Sequence, residues 1–296
     1  SYVYAGRYSH YVEGKLLIMK QFRTMSLPYI LWMAVMIVLP MLLIVMYAFT
    51  VKGNDVTTFR FTFENFSNFF KDAVFIEVLE RSLAIAAATT VLCVLIGYPA
   101  AYIIANSKGK QEVMLILLIT MPTWINMLVR TYAWVGILQD DGLVNSILSI
   151  IGFGKVKLLH TSFAVILGMV YNFIPFMILQ IYTSLTKMDK SLLEAASDLG
   201  ANKVQAFLRV TLPLSMPGVM SGIMMVFMPT ISTFAIAELL TMNNIKLFGT
   251  TIQENINNSM WNYGAALSLI MLLLIAATSL FSTDDKDNSN EGGGLW

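Results

Sequence analysis

Charge is what this sequence has least of: only 12% of its 296 residues are Asp, Glu, Lys or Arg, about half the roughly 25% of a soluble domain. A net charge of +1 gives no field for gathering nucleic acid. A single cysteine, Cys93, excludes an internal disulfide and a thiolate metal cage, and its place inside an apolar run reads as packing. The two histidines, His10 and His160, both lie outside the apolar runs. That excludes an H-E-x-x-H metal helix and an intramembrane Ser-His pair, and with them an intramembrane enzyme. No G-x-x-x-x-G-K-[ST] loop occurs, so the chain has no phosphate cradle of its own for ATP. Because basic residues and mixed sequence precede the first apolar run, that run is not of the usual cleavable-leader shape and is expected to stay as a membrane anchor.

What is abundant is apolar sequence: 57% of residues are hydrophobic, and the mean hydropathy is +0.69. A membrane helix needs roughly 20 mostly apolar residues. Such runs occur at 27–49, 82–105, 113–138, 162–185, 218–240 and 263–281. The expected fold is therefore all-α, a polytopic membrane protein of about six spans filling 27–281. Lys15, Lys20 and Arg23, then Lys108 and Lys110, then Lys187, Lys190, Lys203 and Arg209 place their loops, and both termini, in the cytoplasm by the positive-inside rule. Segment 1–26 reads as cytoplasmic, either an amphipathic helix on the inner membrane face or disordered. The acidic, Asn- and Gly-rich stretch 282–296 reads as a disordered cytoplasmic tail.

One polar segment, 187–213, is too long to be a simple return between spans. Ser191 followed by Glu194 fits a capping box, so a helix is expected from Leu192 to Leu199, stopped by Gly200 in a left-handed turn. A second short helix is expected over 202–210, closed by Leu212-Pro213. Two readings stand side by side: a plain connector, or a compact two-helix knob whose paired alanines let a partner approach closely.

The string Glu194-Ala195-Ala196, three residues, Gly200, nine residues, then Val210-Thr211-Leu212-Pro213 resembles the EAA motif of permease subunits of ABC importers, with Val210 where the family usually has Ile. The resemblance implies the type I importer permease architecture. It also implies that Glu194, Ala195, Ala196 and Gly200, with Asp198 and Leu199 between them, dock on a cytoplasmic ATPase dimer that binds ATP and Mg. This chain would hold no cofactor and would not be an enzyme. The further partners implied are a second permease subunit, identical or different, and an extracytoplasmic substrate-binding protein, all in a bacterial inner membrane. Gly97-Tyr98-Pro99, Met121 to Asn126, Leu128 to Tyr132, Pro175-Phe176-Met177 and Leu192 to Gly218 are similar to the spermidine/putrescine branch of the family. Permeases for iron, sulfate or phosphonate share much of that pattern and are the alternative.

For the substrate path, Pro99, Pro122, Pro175 and Pro229 interrupt four of the runs. Each is either a plain kink or a break that frees carbonyls toward a cavity. Polar residues beside them, Asn126, Arg130 and Asn172, are costly in a membrane and are expected to face inward. For Arg130, pairing with a carboxylate and snorkelling to the interface are both open. A polyamine's ammonium groups call for carboxylates and ring faces. Glu238 is the candidate acid, with Asp140 and Asp141 behind it, and Trp124, Tyr132, Trp134 and Tyr171 are candidate rings, each also explained by core packing or interface anchoring. Few acids suit a passage that must release its cargo. A stand-alone secondary transporter would instead show inverted repeats and ion-coupling acids within the spans.

Overall fold

The computed structural model describes residues 26, 28–51, 60–152, 154–242 and 244–290, with side chains to 279. Most of segment 1–26 and the end of the tail, 291–296, therefore lie outside the described residues. Among those described there is no strand, only an isolated bridge between Thr50 and Phe61. Five helices are long and apolar enough to cross a membrane, and a bent pair makes a sixth. The expected all-α bundle is what the chain forms.

Helix α1 (Pro28–Ala48) is apolar all round, and none of its most hydrophobic stretch is buried within the chain, as suits a helix whose other faces meet lipid. Its carboxyl end is tied down by side chains. Asn65 donates to the Ala48 and Thr50 carbonyls, and Asn262 donates to the Tyr47 and Thr50 carbonyls and to Thr50 Oγ1. A short helix α2 (Glu64–Lys71) precedes α3 (Ala73–Asn106), which begins where Asp72 Oδ1 accepts from the Val74 amide at 3.0 Å. At ~1.5 Å per residue the 34 residues of α3 span about 51 Å, so the helix projects beyond the hydrocarbon.

The third expected span is not one helix. α4 (Lys110–Thr120) tightens into a 3-10 turn (Met121–Trp124), the chain goes extended at Ile125 and Asn126, and α5 (Met127–Leu138) leaves at 92° to the incoming direction. Pro122 cannot continue the ladder, and Asn126 starts the next helix by accepting from the Leu128 amide at 2.8 Å. A short α6 (Leu143–Ile150) follows. By contrast Pro99, Pro175 and Pro229 all sit inside unbroken helices, so those three follow the plain-kink reading.

α7 (Ser162–Lys187) is the central post, capped by the Thr161 hydroxyl and packed on α3. The polar segment then forms α8 (Ser191–Asp198) and leads into the helix α9 (Lys203–Ser232). Here the sequence reading needs correction, because Pro213 closes nothing: α9 runs through it without interruption. The chain absorbs the proline by widening to a π turn over Phe207–Thr211, where the Leu212 amide reaches back to the Phe207 carbonyl. The same device precedes Pro40, with a π turn over Ala34–Val38. A wide turn moves the carbonyl that the proline ring would strike and leaves no amide to be missed at that position.

The fifth expected span also ends early. α9 stops at Ser232, and residues to 241 form a separate short helix α10 (Ala235–Thr241) that packs on α5 and α7 at the end away from the polar segment. α11 (Phe248–Asn257) lies at that same end, and α12 (Trp261–Asn290) returns. The backbone of α12 stays helical to Asn290, past the expected end at 281, since no glycine or proline intervenes before Gly292.

The α7 and α9 contact is close because α9 offers glycine. A methyl group on Gly218 would lie 2.3 Å from Ser184 Cβ, and one on Gly222 2.5 Å from Met177 Sδ. Small residues four apart let membrane helices approach to backbone distance, where dispersion replaces the missing hydrophobic drive. Cys93 is fully buried in the same central cluster, in the packing role expected of it.

Candidate functional site: the polar knob and the cavity at the broken helix

The knob is built by backbone chemistry. Ser191 makes no capping box with Glu194; the start of α8 is held instead by Asp189, whose Oδ1 accepts from the Ser191 amide at 3.0 Å. Bonds from the Ser191 amide and hydroxyl keep the Asp189 carboxyl below the ordinary carboxylate range. Gly200 adopts φ +83°, its amide bonds to the Ser197 carbonyl, and the Ala201 amide bonds to the Ala196 carbonyl at 3.0 Å. These are the two bonds of a Schellman turn. The capping box occurs one helix later, where Asn202 Oδ1 accepts from the Gln205 amide at 2.8 Å and Gln205 Oε1 accepts from the Asn202 amide at 2.9 Å.

Glu194, Ala195, Asp198, Leu199 and Gly200 are exposed and Ala196 is half-buried. Leu199 is 89% exposed at the tip of the turn, an apolar side chain presented to whatever meets the knob.

Behind the knob, the α9 helix is clamped to α3. The Phe207 ring lies edge-on between Tyr98 and Tyr102, with centroids 5.7 and 5.5 Å away. One turn past Pro213's wide turn, Ser215 Oγ is 2.8 Å from the buried Tyr98 hydroxyl. A third tie at this end joins α4 to α7, where the Tyr182 hydroxyl donates to Glu112 Oε1 at 2.5 Å. Sequence reasoning missed Phe207, Tyr102 and Ser215. A signal existed in the two tyrosines four apart on a helix that ends at the knob, which share one face.

The candidate path residues are only partly gathered. Arg130 and Tyr171 share a cavity of about 310 Å³ with Trp134 and four aliphatic residues of the broken span. Trp134 and Tyr171 meet edge to face at 5.4 Å. Arg130 pairs with no described carboxylate of this chain: the residue is half-buried, and its Nε and Nη1 are enclosed with no hydrogen-bond partner. Asn126 is spent as a helix cap. Trp124, in the 3-10 turn, and Tyr132, on α5, are 74% and 61% exposed. Asn172 is buried and donates to the Gly168 carbonyl at 2.8 Å. Glu238 is exposed on α10, and Asp141 is bound to Lys155 at 2.5 Å, which lowers the carboxyl's pKa and raises the amine's. A larger cavity, about 720 Å³, opens between α2 and the start of α12 and is lined by Glu64, Asn68, Asp72 and Tyr263 among others. Among the described residues no group of His, Cys, Asp or Glu is arranged to hold a metal.

Set beside known proteins, residues 94–283 match the family described as binding-protein-dependent transport system inner membrane component. The spermidine/putrescine transport system permease protein PotB of Haemophilus influenzae is 36% identical over 249 residues, covering 83% of this chain and 87% of that protein. The protein of the same name from Escherichia coli is 34% identical over 82% of this chain and 90% of its own length. A solved bacterial ABC transporter that imports the acidic polysaccharide alginate contains a chain of the same fold, with a TM-score of 0.76 at 19% identity, covering 94% of this chain and 98% of that one.

Proposed function

Since the chain belongs to the binding-protein-dependent transport system inner membrane components and is the permease component of an ABC importer, we propose that its cargo is a polyamine of the spermidine/putrescine class and that ATP energy enters it through the knob. The knob faces the cytoplasm, as do both termini, in keeping with the basic residues around it. A cytoplasmic ATPase dimer carrying ATP and Mg receives Glu194, Ala195, Ala196 and the Leu199-Gly200 turn, and a second permease completes the passage.

The observation that carries this reading is the joint between knob and bundle. α9 starts inside the knob and runs unbroken for 30 residues, about 45 Å at ~1.5 Å per residue, so a push on the knob is a push on a whole span. The Phe207 clamp and the Tyr98 to Ser215 bond pass it on to α3. An ATPase that binds the knob differently in its open and closed states shifts the bundle between inward- and outward-open forms by that difference in affinity.

The polyamine assignment is supported by the relatives' 34–36% identity over 82–83% of this chain. Few acids along the spans fit a passage that conducts rather than stores a polycation, leaving selection to an extracytoplasmic binding protein. The alternative cargoes are iron, sulfate or phosphonate. Uptake of labelled spermidine in cells carrying this permease, competed with putrescine, ferric iron and sulfate, decides among them: competition by putrescine alone is expected, and competition by iron or sulfate alone overturns the assignment.

A further inference from the structure

The half-buried Arg130, with two guanidinium nitrogens enclosed and unpartnered, has no account within this chain. Its cavity reaches Tyr171, nine residues into α7 from Ser162, about 14 Å along the helix at ~1.5 Å per residue. That sets the cavity well inside the length of a helix long enough to cross a hydrocarbon layer ~30 Å thick. Nε and Nη1 are buried and unpartnered, while the rest of the wall is aliphatic and aromatic. A charge at that depth is held by a carboxylate or by carbonyls in the assembled protein. None of this chain's described acids does so: Glu112 is taken by Tyr182 at the knob end, Asp141 by Lys155, and Glu238 is exposed on α10.

The cavity wall is also the outward wall of the broken span. Ile125 and Val129 line it and are themselves 52% and 59% exposed. Lipid tails satisfy those side chains but offer the guanidinium nothing. A polyamine does not satisfy it either, since like charges repel.

We propose that this face of α5 receives the second permease subunit and that an acidic side chain of that subunit enters the cavity to pair with Arg130. The charge complementarity selects the occupant: a neighbouring membrane subunit is what brings a carboxylate to that depth. A second copy of this chain has no described acid near the middle of a span to offer. Pairing also removes a fixed positive charge from beside a route taken by polycations. The proposal rests on the reading that two permeases share the passage and that their cargo is a polycation, since an anionic cargo would itself meet the guanidinium.

The test uses the complete complex, co-expressed with the second permease tagged. Arg130→Glu is expected to cut co-purification of the two permeases by about tenfold or more, the usual size when one partner of a buried pair is reversed. Arg130→Lys should retain part of it. Membrane content and helical signal of the variant chain control for folding. Each acidic residue in the partner's spans is then reversed to Arg singly against Arg130→Glu, and one reversal is expected to restore co-purification and uptake together. The proposal is overturned if Arg130→Glu co-purifies like the parent, if no reversal restores it, or if restoration comes only from Glu238→Arg in a second copy of this chain. Co-purification needs neither ATP nor substrate, so it fails or succeeds separately from the polyamine assignment.

Discussion

The Tyr98 hydroxyl lies 2.8 Å from Ser215 Oγ, both side chains buried, and joins α3 to α9 just beyond the wide turn that carries α9 past Pro213. The bond fastens the helix that begins in the knob to the longest helix of the bundle. With the knob as the proposed point of entry for ATP energy, a joint placed there passes motion into the bundle.

Tyr98→Phe keeps the ring against Phe207 and removes only the hydroxyl. It should cost about 1 kcal/mol, visible as a small drop in the melting temperature of the purified complex. Uptake per ATP hydrolysed should fall more than stability does. Phe207→Ala, which empties the space between two tyrosine rings, should destabilise by about 1–2 kcal/mol, since the ring is only partly buried, and lose most of the coupling.

Gly200 has open space around its Cα but a φ of +83°. Gly200→Ala therefore meets no clash and still suffers backbone strain of about 1–2 kcal/mol. The Schellman bonds of Gly200 and Ala201 should lose protection in amide hydrogen exchange, while the exchange of α7 stays unchanged.

At Gly222 the balance is reversed, since the limit there is space. Gly222→Leu drives a side chain into Met177 and should cost about 1–3 kcal/mol from overpacking. Thermal unfolding in detergent would report it, and the smaller Gly222→Ala should fall between the parent and the leucine variant.

Asp189 sets a pH dependence for the knob. Its native pKa is depressed by the bonds from Ser191, so its contribution is fully present above its unfolded value, near ~4, and is lost as pH falls through the lower native value. Protection of the Ser191 amide should exceed that in Asp189→Ala by a constant amount from pH 5 to 8, and the difference should shrink only in stronger acid.

Much of this fold could be read from the sequence, because a run of about 20 apolar residues has few other uses. The spans that were displaced failed for local reasons. Pro213 looked like a stop, yet a π turn accommodates a proline, and nothing in Phe207–Thr211 announces such a turn. Ser191 and Glu194 had capping-box spacing, but Asp189 two residues ahead competes for the same amide and wins. The break near Pro122 was legible as a proline, while its 92° bend depends on Asn126 capping a new helix. Gly200 was readable as a left-handed stop because few residues other than glycine tolerate that conformation. The path residues were least legible: which face of a membrane helix meets a cavity is set by packing, and Arg130, Trp134 and Tyr171 converge only because α5 packs against α7.

The central claim is that the knob converts ATP hydrolysis into transport, and the ratio of polyamine imported to ATP hydrolysed tests it most directly. That ratio is to be measured in proteoliposomes holding the complete complex with its binding protein, for the parent, Glu194→Lys and Gly200→Leu. The account predicts that both variants stay in the membrane while the ratio collapses toward zero. Normal uptake per ATP in both would contradict it.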